Sequence, residues 1–126
     1  VNNPHQAIRH IVMWDVAGDT PADKRRNIDC LRRSFESLQG RIPGLRHLEI
    51  GVDMSGVDYA SDVVLYSEFD SPEALAAYAD HPEHQRVKKE LGSMRIARRQ
   101  VDYLVAPRVE NPVATDGPGQ EAHSHA

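Results

Sequence analysis

The residues best equipped for chemistry lie in one short stretch, Tyr78-x-x-His81-Pro82-x-His84, with a further histidine, His10, near the start of the chain. An imidazole whose unperturbed pKa is about 6.5 is partly deprotonated at neutral pH, so it can take a proton from a carbon beside a carbonyl. A tyrosine hydroxyl can donate a hydrogen bond where enolate or alkoxide charge develops. Cofactor-free aldol closure or isomerisation needs both parts, which makes His84 the candidate base and Tyr78 the candidate donor. Pro82 lacks an N–H and biases His81 away from helical angles, so the helix must kink or restart there. Tyr78 and His84 stand six positions apart across that break, so regular helical geometry alone does not bring them together, but a kink could bring both over the mouth of a sheet.

Each of these residues also has a plainer reading. His84 could stabilise the helix restart, Tyr78 could be core with its hydroxyl at the rim, and His10 could be a core histidine bonded to a carbonyl. His81, just before proline, is expected to cap the second helical piece. His81 and His84 with Asp80 and Glu83 hint at a metal, but a site needs three or four convergent ligands, so no metal and no cofactor are expected. His123 and His125 could collect stray divalent ions. Cys30 reads as a small side chain packed within a helix rather than a nucleophile. Gly117-x-Gly119 lacks the strand-to-helix setting of a phosphate loop. The Arg25-Arg26 and Arg32-Arg33 pairs sit beside acids and read as a solvated helix face. Trp14 reads as core or dimer interface rather than a cofactor stacker.

The elements that must position these groups follow from periodicity. Ile8 to Val16 alternates Ile8, His10, Val12, Trp14 and Val16 against Arg9, Ile11, Met13 and Asp15, which predicts a first strand. Thr20-Pro21-Ala22-Asp23 supplies a capping hydroxyl, a first-turn proline and an acid near the helix dipole's positive end. Ile28, Leu31, Phe35 and Leu38 then recur at helical spacing, predicting a helix over 21–39 with Gly40 as its stop. Ile42-Pro43-Gly44 breaks the chain before a second strand, where Leu48, Ile50 and Val52 alternate with His47, Glu49 and Gly51. Residues 53–60 read as a loop and Val63 to Phe69 as a third strand. Ser71-Pro72-Glu73 opens a second helix near 72, broken at Pro82 and resumed through Val87 and Leu91 to Gly92. Ile96 to Val105 forms the last strand, with Arg99, Val101, Tyr103 and Val105 on one face.

This β-α-β-β-α-β order predicts an α+β, ferredoxin-like domain over 7–106: a four-stranded antiparallel sheet with both helices on one face. The first and third strands are apolar on both faces, yet helices can cover one set only. Ile11, Met13, Val64 and Tyr66 would otherwise form a large exposed patch, so a homodimer packed sheet to sheet is expected. Residues 107–126, rich in proline and glycine, read as a tail that is flexible or wraps the partner. Ligand-pocket volume is expected to depend on the loops at 53–60 and 81–86.

Composition narrows the function. The 126 residues are 40% hydrophobic and 27% charged, with a net charge of −4, which is one folded domain without the positive field a nucleic acid requires. No apolar run approaches the roughly 18–20 residues that span a bilayer, and the polar opening does not look like a signal peptide. With one cysteine and no disulfide framework, the expected setting is cytoplasmic, with neither nucleic acid nor membrane as partner.

Arg9-His10-Ile11-Val12, Ile42-Pro43-Gly44, Gly51-x-Asp53, Glu68-Phe69-Asp70-Ser71 and, above all, Tyr78-x-x-His81-Pro82-x-His84 resemble the stress-responsive A/B-barrel domain (Dabb) family over roughly 8–105. The resemblance implies a small dimeric α/β barrel. It also implies that Tyr78 and His84 match the tyrosine and catalytic histidine of a plant member, olivetolic acid cyclase, which closes a linear polyketide by aldol chemistry. His10 falls at the matching strand-one position, where it could bond a substrate oxygen. The expected function is binding of a small, fairly apolar carbonyl compound, with cofactor-independent cyclase, lyase or isomerase chemistry. A non-catalytic stress-responsive binding protein and a cofactor-free monooxygenase are the alternatives, and an RNA-binding module is disfavoured because the chain is acidic and lacks a basic motif with paired aromatics.

Overall fold

A computed structural model describes residues 6–106, so the tail from 107 onward, with His123 and His125, lies outside the described residues. The elements run β1 (Ile8–Val16), α1 (Pro21–Glu36), β2 (Leu45–Val52), β3 (Val63–Phe69), α2 (Pro72–Asp80), α3 (Pro82–Leu91) and β4 (Arg95–Leu104). The strands form one antiparallel sheet in the order β2-β3-β1-β4. This is the ferredoxin-like α+β fold that the sequence predicts. No described helix is long and apolar enough to cross a membrane.

Local chemistry sets the helix starts. The Thr20 hydroxyl accepts from the Asp23 N–H at 3.0 Å, and the Ser71 hydroxyl from the Ala74 N–H at 3.1 Å. Each satisfies a donor that the first helical turn leaves free, ahead of a proline that has none to satisfy. Helix α1 stops at Glu36 rather than at 39. Leu38, Gln39 and Arg41 donate to carbonyls three residues back, at 3.0, 3.2 and 3.0 Å, so the helical period reads on through tight turns, and Leu38 stays fully buried. Strand β2 begins at Leu45, earlier than the alternation suggests, because the pairing with β3 shifts register between Leu45 and His47.

Register divides the sheet into two faces. Val12 pairs with Leu65, Ile50 with Leu65 and Leu48 with Ser67, and these residues are buried beneath the helices together with Phe35, Phe69 and Val87. Trp14 stacks on Phe35 at 5.5 Å between centroids, consistent with a core role. Each fully buried apolar side chain among them contributes roughly 1.5–3 kcal/mol by leaving water. On the opposite face Ile11 pairs with Tyr66 and Val101, and Met13 with Val64 and Arg99, with no helix above them. Arg32 bonds Asp29 at 2.7 Å and Arg26 bonds Asp23, so α1 does carry a solvated ionic face.

Candidate functional site

The helix break builds the site. In an unbroken helix the Ala79 carbonyl would accept from the Glu83 N–H, but that N–H donates to His81 Nδ1 at 3.0 Å, making His81 the N-cap of α3. The freed Ala79 oxygen accepts instead from the side chains of Gln85, at 2.7 Å, and His84, at 3.3 Å from Nδ1. With Nδ1 carrying the proton in that bond, His84 Nε2 keeps its lone pair. The α3 start is tied down further by Arg86, which bonds Glu83 at 2.9 Å and the Ser37 hydroxyl at 3.2 Å. The Arg86 guanidinium also holds the Glu83 carboxyl below its ordinary pKa.

Held this way, the His84 ring stacks on Tyr78 with centroids 4.0 Å apart. Tyr78 meets Phe69 at 5.1 Å and the edge of His10 at 6.2 Å. His10, Tyr78 and His84 all line one cavity of about 660 Å³ between the helices and the β1–β4 side of the sheet, a size typical of small-molecule sites. Val12, Leu65 and Leu75 make part of its wall. None of residues 53–60 lines it. The expected dependence on that loop is therefore corrected: β2 and β3 carry it away from the helix break, whereas the 81–86 segment contributes His84.

Electrostatics differ sharply among the three groups. Burial pushes the Tyr78 phenol well above its ordinary pKa, against the opposing pull of Arg95 and Arg98, so it stays protonated. Its hydroxyl is buried with no hydrogen-bond partner, an expensive condition that a ligand oxygen would relieve. Burial lowers the His84 pKa, aided by Lys88, Arg95 and His10 and opposed by the Ala79 hydrogen bond. The neutral, proton-accepting form is favoured. His10, 7% exposed, pairs through Nδ1 with Asp102 Oδ1 at 2.6 Å, which fixes its orientation as carboxylate partners do for histidines at working sites. Gln100 Nε2 donates to the other Asp102 oxygen at 3.1 Å. His10 is thus paired with a side chain, not with the carbonyl that its plainer reading invokes.

Sequence reasoning named His10, Tyr78 and His84 but not Asp102, Gln100, Arg95 or Arg98, which also line the cavity. The alternation of β4 held part of the signal, since Gln100 and Asp102 fall opposite Arg99 and Val101. Trp14, assigned to the core, also borders the cavity. Cys30 is half-buried against the core.

The model of the Stress responsive A/B Barrel Domain, Dabb, matches residues 8–105. This chain belongs to the Dabb family. An uncharacterized protein of Streptomyces coelicolor is 32% identical over 78 residues, 62% of this chain and 79% of the relative. A dimeric ferredoxin-like protein of unknown function from Bacteroides fragilis superposes with a TM-score of 0.70 at 31% identity, covering 79% of this chain and 96% of that one. The hydroxynitrile lyase of Passiflora edulis shares the fold, with a TM-score of 0.69 at 17% identity over 85% of this chain and all of its own, 100%.

Proposed function

We propose that this Dabb protein binds a small carbonyl compound in the cavity beside α2 and α3 and moves a proton next to the carbonyl without a cofactor, as an aldol cyclase, lyase or isomerase does. The observation that carries this reading is the unpartnered, buried Tyr78 hydroxyl beside an imidazole held neutral. In this mechanism His84 Nε2 removes the proton, and the Tyr78 hydroxyl donates to the oxygen on which negative charge collects. His10, anchored by Asp102, presents its second ring nitrogen to a substrate oxygen. The active unit is a homodimer joined through the open sheet face, where Ile11, Met13, Val64 and Val101 would leave water together. The Bacteroides fragilis structure is described as dimeric, which supports this assembly.

The test is deuterium exchange at the carbon between the carbonyls of β-diketones and β-keto acids, followed by NMR. Wild type is expected to catalyse exchange, and His84→Ala to lose about 10²–10⁴-fold of the rate, the usual worth of a positioned base. Thermal stabilisation by ligand without any exchange would assign the protein to non-catalytic binding instead. Light scattering at micromolar concentration checks the dimer, and a monomer there refutes it.

A further inference from the structure

The cavity carries charge that the proton-transfer chemistry does not use. Three cationic side chains line it, Lys88, Arg95 and Arg98, against one carboxylate, Asp102, and that carboxylate is already engaged by His10 and Gln100. None of the three cations has an acidic partner within ion-pair distance among the described residues, whereas Arg32, Arg46 and Arg86 on the outer surface all do. The excess is local, because the chain as a whole is acidic at −4.

The two arginines are also pressed together. The guanidinium carbons of Arg95 and Arg98 lie 5.2 and 5.9 Å from the Trp14 ring centroid, and that of Arg95 lies 5.9 Å from Phe35. Stacking on an aromatic face offsets part of their repulsion. Arg98 donates from Nε, at 3.1 Å, and from Nη2 to Gln100 Oε1, a neutral acceptor that leaves its charge uncompensated, and Arg95 Nε is buried without any acceptor. Burial and the neighbouring Arg98 both push the Arg95 pKa down, the signature of a cation lacking its counter-charge.

A backbone irregularity brings the pair to one side. Simple strand alternation puts residues 95 and 98 on opposite faces. Here Met13 pairs with Arg99 but Asp15 with Ile96, so β4 holds one extra residue, and Ala97 adopts φ +55°, the sole positive φ at a non-glycine among the described residues. Such a bulge re-aims side chains. Arg95, opposite Val16, and Arg98, in phase with Gln100, consequently both serve the helix-covered face.

We propose that the cavity takes an organic acid, with its apolar body between Trp14, Val12, Leu65 and Leu75 and its carboxylate on Arg95 and Arg98. Guanidinium edges suit a carboxylate because two parallel N–H donors match its two oxygens. This deepens the proposed function, on which it rests, by making the carbonyl substrate a keto acid. Lys88, on α3, adds a third positive charge on the helical side of the same cavity.

Three probes of one shape test it by calorimetry on the full chain: 4-phenylbutanoate, its methyl ester and 4-phenylbutylammonium. The acid is expected to bind at least about tenfold more tightly than the ester, the scale of a charge-assisted hydrogen bond, and the ammonium weakest of the three. Arg98→Gln is expected to remove most of the acid's advantage while leaving the ester's affinity unchanged, and Arg95→Lys to retain part of it. Arg98 is exposed on the edge strand, so its replacement leaves the fold intact, which circular dichroism verifies. Equal affinity for acid and ester, or no binding of any probe at millimolar concentration, overturns the proposal. Exchange measured with His84→Ala reports separately on the acid–base reading: acid binding that depends on Arg98 beside unchanged exchange would sink that reading and leave the anion subsite standing.

Discussion

The two β-α-β halves follow one plan but finish the sheet differently. In the first half α1 is continuous and packs over β2, whose Leu48 and Ile50 are buried. In the second half Pro82 splits the helix into α2 and α3, and β4 is exposed along nearly its whole length. Under α1, the β2 edge packs Leu48 and Ile50 into the core. The uncovered edge holds the cavity, the unpartnered Tyr78 hydroxyl and the unpaired arginines. Interrupting one helix therefore converts core volume into ligand volume, at the cost of polar groups that packing alone does not satisfy.

Substitutions at the two edges should reveal the same asymmetry. The largest stability loss is expected for Leu48→Ala beneath α1, about 2–5 kcal/mol by urea unfolding, because a fully packed side chain leaves a hole. Val101→Ala, on the open face of β4, should cost the monomer under about 0.5 kcal/mol and appear instead as easier dimer dissociation. A comparable loss at both positions would erase the distinction between the edges.

Gly44→Ala comes next. Gly44 has φ +83°, and an added Cβ would lie 2.5 Å from Ala74 Cβ, so α2 must shift off the entry to β2. A cost of about 1–3 kcal/mol in thermal or urea unfolding is expected from strain and contact together.

Tyr78→Phe sharpens the contrast from the other side. Removing a hydroxyl that is buried and unpartnered should leave stability unchanged or raise it by up to about 1 kcal/mol, while proton exchange falls. A clear loss of stability would show that the hydroxyl already has a partner.

The smallest effect expected is a pH slope. Burial keeps the His84 imidazole below its ordinary 6.5, so below that value the unfolded chain binds a proton that the folded chain refuses. The contribution is present in full above about 6.5 and is lost as pH falls through the folded value. His84→Gln should flatten the decline of the melting temperature on the acid side. An unaltered slope would mean that burial, with Lys88, Arg95 and His10 adding to it, does not hold the ring's pKa down.

Much of this was legible because it is local. Proline after a capping hydroxyl marks the starts of α1 and α2, and Pro82 with His81 marks the break, since these residues act on their own neighbours. Alternation in β1 and β3 separates helix-facing Val12 and Leu65 from open-face Met13 and Val64 correctly. Periodicity overruns the end of α1 because Leu38 keeps the helical period through turns that are no longer α-helical. The start of β2 and the aim of Arg95 escaped for a shared reason: a one-residue register shift reverses which face a side chain takes, and strand pairing, not composition, sets register.

The sequence by itself determined the order of elements, the apolar character of both sheet faces and the histidine–tyrosine motif around a helix break, because each follows from nearest-neighbour sterics and periodicity. Only the tertiary structure decided that His10 meets Asp102, 92 positions away, that His84 stacks on Tyr78, and that Arg95 and Arg98 converge on Trp14. Those are distances between segments brought together by the β1–β4 pairing and the β4 bulge, and no local preference of the chain specifies them.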